Sequence, residues 1–151
     1  MDLSSLKDTK KFSEKISKII KLGDVIFLYG EIGVGKTTFV RFLVNQLEVE
    51  NKNKKSDILS PTFNIVYDYQ IKKTKIYHYD LYRLKKSKDI LELGMLENLE
   101  NTITIVEWPE LIKPKPQDRI DIFFKYSKLE NSRIVKIYGF GKWKNYKFNE
   151  I

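Results

Sequence analysis

The spacing of apolar residues changes twice along the first third of the chain, and it predicts a helix, a strand and a second helix. Across residues 4–21 they recur at helical spacing between lysines, which predicts an amphipathic helix that Ser5 or Asp8 would cap. Residues 25–29 form an unbroken apolar run, as in a buried strand. Helical spacing then returns and continues to about Leu47. The apolar positions of the two helices are Phe12, Ile16, Ile19, Ile20, Phe39, Val40, Phe42, Leu43 and Leu47.

The middle of the chain changes to a pattern that is typical of strands. Residues 48–57 are polar and charged, and they predict an exposed loop. Residues 64–71 and 75–79 are rich in Ile, Val and Tyr, which predicts the two strands of an antiparallel hairpin with its turn at 72–74. The second strand leads into the polar and aromatic segment 78–83.

A short helix and a buried strand are predicted next. Ser87 is expected to cap the helix, Gly94 to interrupt it, and residues 95–99 to continue it as a helical turn. Residues 102–106 are apolar and largely β-branched, which predicts a buried strand. Pro109 is expected to open another short helical turn, since proline is compatible with the first position of a helix.

The last third of the chain predicts a second hairpin. The prolines at 114 and 116 mark a loop. Apolar and polar residues alternate enough over 118–126 and 133–139 to predict two strands, with a turn near Glu130 and Asn131. The segment 140–151 is basic and aromatic, and we expect it to be a loosely held tail.

Length and composition indicate one soluble domain covering residues 1–151. No apolar run approaches the roughly 20 residues of a membrane span, and the first residues lack the apolar segment of a signal peptide. The chain has no cysteine, which excludes disulfides, thiolate metal sites and cysteine nucleophiles. These features favour a cytoplasmic chain that does not associate with membranes.

The net charge of +8 has two explanations. A basic surface could bind RNA. Alternatively, lysine, asparagine and isoleucine are all abundant, as A+T-rich coding DNA would produce. The lysines are spread along the chain with small clusters only at 52–55 and 142–147, which favours the compositional explanation.

The clearest chemical signal is the sequence Gly-Glu-Ile-Gly-Val-Gly-Lys-Thr at residues 30–37, which follows a predicted strand and opens a predicted helix. In this context the spacing predicts a phosphate-binding loop. Glycines let successive backbone N–H groups point at phosphate oxygens, and the helix directs the positive end of its dipole to the same place. Lys36 can reach the β- and γ-phosphates, and the hydroxyl of Thr37 can bind Mg²⁺.

A bound triphosphate also needs a carboxylate that organises magnesium, and two candidates follow predicted strands. Glu107 comes directly after the strand 102–106, where a carboxylate could hold Mg²⁺ or orient the attacking water. Asp80 ends the hairpin and could hold a magnesium-bound water, while Thr62 could place a hydroxyl near the γ-phosphate. His78 is the only histidine and is more often structural than catalytic at such a position. Trp108 could pack against the nucleotide or fill the core.

Four segments in this order, GEIGVGKTTF, SPTF, HYDLYR and EWPE, resemble the TsaE (YjeE) family. The resemblance runs from about Thr9 to Arg133, and Val34 stands where the family usually has a small residue. It implies an α/β fold of the small P-loop NTPase type, with a mostly parallel central sheet flanked by helices and an added antiparallel β-hairpin.

The resemblance also implies ATP and Mg²⁺ as ligands. Thr37 and Glu107 would hold the metal. The candidate catalytic residues are Lys36, Asp80, Glu107 and Thr62. The candidate nucleotide-binding residues are Gly33, Val34, Gly35, Lys36, Thr37, Thr38, Thr9, Trp108 and Arg133.

Family resemblance further implies a role and partners. TsaE-like proteins are ATPase subunits of the bacterial machinery that makes N6-threonylcarbamoyladenosine on tRNA. They act on TsaD and TsaB proteins, meet tRNA only through that complex, and hydrolyse ATP weakly alone.

Two other functions fit parts of the pattern. A small-molecule kinase would use the same loop, but the sequence shows neither an acceptor pocket nor an arginine-rich lid. A basic RNA-binding adaptor with a vestigial loop would not need the intact pair of Lys36 and Thr37.

Overall fold

The structure, a computed structural model, describes residues 1–127 and 132–148. Within these ranges the helices are α1 (Leu6–Ser17), α2 (Lys36–Glu50) and α3 (Ser87–Glu92). The strands are β1 (Asp2–Leu3), β2 (Val25–Tyr29), β3 (Val66–Ile71), β4 (Thr74–Asp80), β5 (Thr102–Glu107), β6 (Arg119–Tyr126) and β7 (Arg133–Phe140). Short 3₁₀ turns occupy Leu99–Asn101, Pro109–Leu111 and Gly141–Trp143.

The described strands form one sheet in the order β1-β7-β6-β2-β5-β4-β3. The central strands β6, β2, β5 and β4 are parallel to one another. Antiparallel pairs extend both sides, with β3 against β4 and with β7 between β6 and β1. This arrangement confirms the predicted α/β fold with a parallel centre and an added hairpin. It also brings the carboxyl ends of β2, β4 and β5 to one edge, where α/β sheets place their ligand sites.

One face of the sheet is covered by α1 and α2. The rings of Phe12 in α1 and Phe39 in α2 have centroids 5.0 Å apart, and Phe39 lies 5.8 Å from Phe124 of β6. All three side chains are buried, and burying a side chain of this size stabilises the fold by about 1.5–3 kcal/mol. This packing fixes the position of α2 and therefore of the loop that precedes it.

The opposite face is covered over β2, β4 and β5 by α3 and the irregular segment around it. Val25, Phe27, Tyr79, Leu81, Ile90, Met95, Val106 and Ile112 are buried there. No helix in the described part of the chain is both long enough and apolar enough to cross a membrane.

The predicted first helix is shorter than expected. It is capped by Ser5, whose hydroxyl accepts the Asp8 N–H at 3.2 Å, but it ends at Ser17 instead of continuing to residue 21. The carboxylate of Asp24 accepts the Lys21 N–H at 2.6 Å and so stabilises a turn that leads the chain into β2.

The second helix, by contrast, is longer than predicted. It continues to Glu50, where the N–H of Asn51 donates to the carbonyl of Leu47. The carboxylate of Glu48, only 3% exposed, accepts the N–H of Ser56 at 2.8 Å and its hydroxyl as well. The loop therefore begins after the helix has turned once more, and it folds back onto that carboxylate.

Three smaller predictions are corrected in the segments that flank the sheet. The strand predicted from residue 64 begins at Val66, since Ile65 has φ +68° and its N–H donates to Pro61. Ser87 does not cap α3; Lys86 precedes the helix, and the Ser87 hydroxyl donates to the Leu111 carbonyl at 3.0 Å. Residues 95–98 form hydrogen-bonded turns that do not continue α3, and Leu99 begins the 3₁₀ turn Leu99–Asn101.

The end of the chain is not a loosely held tail over its described part. Trp143 and Phe148 are 8% and 7% exposed and belong to the core on the α1–α2 side. The indole N–H of Trp143 donates to Asp24 at 3.2 Å, and the ammonium group of Lys142 lies 2.6 Å from the same carboxylate. The strands β6 and β7 are paired as predicted, whereas the turn predicted near residues 130–131 lies outside the described residues.

Candidate functional site

The site lies in a cleft at the carboxyl edge of the parallel strands. In the sheet register Glu107 at the end of β5 is adjacent to Leu28 of β2 and to Asp80 of β4. The loop after β2 forms the other wall. The cleft has a volume of about 330 Å³ and is lined by Ile32, Gly33, Gly35, Lys36, Thr37, Thr38, Ser60, Thr62, Asp80, Tyr82, Glu107 and Trp108.

The loop between β2 and α2 requires glycine at two positions for different reasons. Gly30 has φ +138°, and a Cβ there would lie 2.4 Å from the carbonyl oxygen of Phe124. Gly35 has φ +113° and precedes α2, where it provides no side chain to cap the first N–H groups of the helix. Those donors at the start of a helix form a natural site for an anion.

Lys36 is almost fully buried beside this loop. Its ammonium group donates to the carbonyls of Gly30 at 2.6 Å and Glu31 at 3.0 Å, and lies 4.0 Å from the centroid of the Trp108 ring. Burial lowers the pKa of the Lys36 ammonium, while the nearby carboxylates, of which Glu107 contributes most, oppose that shift. The structure thus holds a desolvated cation at the mouth of the glycine loop.

Glu107 joins the loop to the sheet. Its carboxylate accepts the hydroxyl of Thr37 at 2.8 Å and lies 2.9 Å from Nε2 of His78. Glu107 and His78 are 2% and 0% exposed, so the contact between them is shielded from water, whereas Thr37 is half-buried and meets Glu107 at the wall of the cleft. A hydroxyl and a carboxylate are hard oxygen ligands, and Mg²⁺ usually takes few protein ligands and completes its shell with water and phosphate. The pair therefore fits the metal that the resemblance implies.

Asp80 forms a second and separate set of hydrogen bonds. Its carboxylate accepts the Thr62 hydroxyl at 2.5 Å and the Tyr82 N–H at 3.0 Å. The hydroxyl of Ser60 lies 2.8 Å from that of Thr62. Asp80 is 3% exposed, so the loop that carries Ser60 and Thr62 is bonded to a buried acid at the strand end.

Thr9 and Arg133 lie on the other side of the glycine loop. Both line a small cavity of about 70 Å³ whose remaining wall includes Gly33, Val34, Gly35 and Thr38. Val34 is only 1% exposed and its side chain belongs to the core, so only its backbone can contact a ligand at the loop. The structure therefore brings the predicted residues to two sides of one loop.

Sequence reasoning missed part of the site. His78 was given a structural interpretation, yet it contacts Glu107 directly. Ser60 and Tyr82 also line the cleft, although no role was predicted for them. The strand alternation around His78 shows that it shares a face with Asp80, but its pairing with Glu107 follows from the register of two strands that are distant in sequence.

Fold and loop together define the class of the protein, a small α/β protein of the P-loop NTPase type. The profile of the family described as "Threonylcarbamoyl adenosine biosynthesis protein TsaE" matches residues 3–135. The chain belongs to the TsaE family.

Individual relatives agree with this assignment. The protein named tRNA threonylcarbamoyladenosine biosynthesis protein TsaE from Aquifex aeolicus is 39% identical over 137 residues, which cover 90% of this chain and 92% of the relative. The proteins of the same name from Rickettsia prowazekii and Bacillus subtilis are 40% and 32% identical, covering 74% and 78% of this chain and 74% and 72% of their own. The crystal structure of Bacillus subtilis YdiB matches with a TM-score of 0.74 at 26% identity, covering 95% of this chain and 86% of that one.

Proposed function

We propose that this protein is a Mg²⁺-dependent ATPase that serves N6-threonylcarbamoyladenosine synthesis on tRNA by acting on TsaD-like and TsaB-like proteins. The observation that carries the proposal is the buried Lys36 facing the bonded pair of Thr37 and Glu107 across one cleft. The relatives' names supply the pathway.

Phosphate binding would use the glycine loop and Lys36. The ammonium group now donates to two neutral carbonyls, and phosphate oxygens are stronger partners because hydrogen bonds between ionised groups are about twice as strong. An anionic ligand would also offset the desolvation that lowers the pKa of Lys36. Backbone N–H groups from Gly33 to Thr38 would complete the cradle.

The metal would be held by the oxygen atoms of Thr37 and Glu107. When bound there, Mg²⁺ would neutralise charge on the β- and γ-phosphates. His78 would orient Glu107, since it is fixed in the core and contacts one carboxylate oxygen.

Hydrolysis needs a group that positions water, and we assign this task to Asp80 with Thr62. Asp80 uses one oxygen to accept the Tyr82 N–H and the other to accept the Thr62 hydroxyl, so both groups have defined orientations toward the cleft. Phosphoryl-transfer enzymes use a residue near the γ-phosphate either to accept a proton from the nucleophile or to orient the attacking water.

The remaining predicted residues would contact the rest of the nucleotide. Trp108, whose ring already covers Lys36, would pack against the phosphate end of the cleft. Thr9 and Arg133 line the cavity beyond the loop and would approach the nucleoside.

Comparing ATP hydrolysis with and without cognate TsaB and TsaD proteins tests the proposal. We expect slow release of inorganic phosphate by the protein alone and clearly faster release with both partners, as for a site that a partner completes. Phosphate that appears on an added small molecule instead of in solution would identify a kinase and contradict the proposal.

Cytoplasmic location is part of the same proposal, since the tRNA that the complex modifies is there.

A further inference from the structure

Part of the sheet on the α3 side carries exposed side chains. Opposed residues of an antiparallel pair share one face, and the register therefore places alternate residues of β6 and β7 together on this side. We name this surface the β6–β7 face. Its exposed or half-buried charged and aromatic residues are Arg119, Phe123, Lys125, Lys136, Tyr138 and Phe140; Ile134 and the buried Asp121 lie on the same side.

Aromatic rings on this face are both exposed and fixed in position. Tyr138 and Phe140 are 50% and 38% exposed. The Phe123 ring meets Tyr138 edge to face at 5.6 Å and stacks on Tyr29 at 4.3 Å with an interplanar angle of 6°. The ammonium group of Lys115 donates to the Tyr29 hydroxyl at 2.8 Å. A row of rings supported in this way would lose little conformational entropy on binding a flat ligand.

Cations surround the rings. Lys125 and Lys136 are exposed, and the guanidinium of Arg119 lies 3.8 Å from the centroid of the Phe140 ring. The acid in the middle of the face, Asp121, is 3% exposed and bonded to Arg119 at 3.0 Å, so it adds little negative potential at the surface.

Other acids of the described chain lie at the borders of the face. Asp118 precedes β6, is exposed and accepts the N–H of Lys142 at 2.8 Å. Asp2 is opposite Ile134 at the β1 edge, and the charge of Glu110 contributes to raising the pKa of Tyr29 at the other side. The centre of the face, between these borders, combines positive charge with accessible rings.

We propose that the β6–β7 face binds single-stranded RNA. Exposed rings on a sheet can stack bases, and lysines around them can contact the phosphates. This ligand fits the charge better than a second copy of the chain, because two copies meeting through the same face would bring cations together. It also fits better than an apolar protein surface, which would remove water from the lysines without pairing them.

This inference goes beyond the proposed ATPase. None of the six residues lines the nucleotide cleft, so RNA binding and ATP binding can be lost separately. It also gives part of the net charge of +8 a location, whereas the spread of lysines along the sequence favoured a compositional explanation.

Charge reversal tests the electrostatic part. Binding of a labelled oligouridylate of about 12 nucleotides would be followed by fluorescence anisotropy, with salt varied from about 50 to 200 mM. The variant Lys125→Glu/Lys136→Glu is compared with Lys54→Glu/Lys55→Glu, which makes the same change in net charge on the loop after α2. We expect an affinity loss of about 10-fold or more, with a shallower salt dependence, in the first variant, and a change within about 2-fold in the second.

Ring removal tests the stacking part. We expect Tyr138→Ala to weaken binding by roughly 5- to 100-fold and Tyr138→Phe to preserve it within about 2-fold, because stacking needs the ring and not the hydroxyl. ATP binding and thermal unfolding of each variant check that the fold is intact. Equal losses in both charge variants, no RNA binding by the unchanged protein at low salt, or a dimer that Tyr138→Ala dissociates would each overturn the proposal.

Discussion

Glu107 and Asp80 occupy adjacent positions at the ends of neighbouring parallel strands, yet they are bonded to different parts of the molecule. Glu107 is held by Thr37 in the first turn of α2 and by His78 in β4, both within regular elements that the core fixes. Asp80 is held by Thr62 in a loop and by the backbone just after its own strand. One acid therefore links rigid elements, whereas the other links the sheet to a loop.

This difference suggests a division of tasks between two acids that are almost equally buried. An acid fixed from two sides is suited to hold a metal, which requires defined geometry. An acid bonded to a loop hydroxyl is suited to respond when that loop meets the γ-phosphate or a partner. Lys36 lies near both, since both carboxylates oppose the lowering of its pKa.

Removing the cation that both acids face should have the largest effect. We expect Lys36→Ala to lower kcat/KM for ATP by about 10²- to 10³-fold, as for the loss of one preorganised donor to a reacting phosphoryl group. Phosphate release measured beside Lys73→Ala, a change at an exposed lysine in the turn between β3 and β4, checks this result. Undiminished turnover in Lys36→Ala would refute the assignment of the loop.

Neutralising each acid in turn separates their tasks. We expect Glu107→Gln to weaken Mg²⁺-dependent ATP binding and turnover together, because it removes a metal ligand. Asp80→Asn should lower kcat by about 100-fold while ATP affinity changes by less than about 3-fold, because it removes a group that acts on water. Calorimetric titration with ATP and a kinetic assay give both quantities. Equal loss of binding and turnover in Asp80→Asn would reduce Asp80 to a structural residue.

The contact between His78 and Glu107 offers a smaller test of the rigid side. We expect His78→Gln to raise the Mg²⁺ concentration that gives half-maximal turnover by about 10-fold, since partners that orient a metal ligand typically matter at this level. ATP affinity in the absence of Mg²⁺ should stay unchanged, and it serves as the control for folding. A change in metal-free ATP affinity alone would show that His78 supports the cleft and not the metal ligand.

The smallest expected effect concerns pH. ATP binding without Mg²⁺ needs the protonated Lys36, so it should weaken as pH rises through the pKa of that group, which burial lowers from the usual value of a lysine. The carboxylates raise this pKa, and Glu107 does so more than Asp80. Glu107→Gln should therefore move the loss of binding to lower pH, and Asp80→Asn should move it less. A larger shift in Asp80→Asn than in Glu107→Gln would contradict the charge arrangement around Lys36.

Sequence reasoning reached most of the fold and the main residues of the site because their signals are local. The glycine loop, its flanking strand and helix, and an acid directly after a buried strand are all readable within a few positions. The pairing of Glu107 with Asp80 and His78 is not local, because it depends on β4 lying parallel to β5. The roles of the site residues remain predictions.

The two errors at helix ends have the same origin. Glu48 and Asp24 are charged residues that a local pattern assigns to the surface, but each is buried and accepts N–H groups from segments that fold back. The burial of Trp143 and Phe148 was missed for a related reason, since a segment rich in lysine does not show which of its rings pack on the core.

Lys142 and Trp143, which follow β7, are bonded to Asp24, and this contact matters when the chain is compared with its relatives. The family profile ends at residue 135, whereas Trp143 and Lys142 secure the turn that precedes β2. A version of this protein trimmed to the shared length would cut through β7 and leave Asp24 buried without two of its cationic or N–H partners. The end of the family match at residue 135 is therefore not the end of the cooperative folding unit, because residues beyond it help to hold the turn that leads into β2 and the glycine loop.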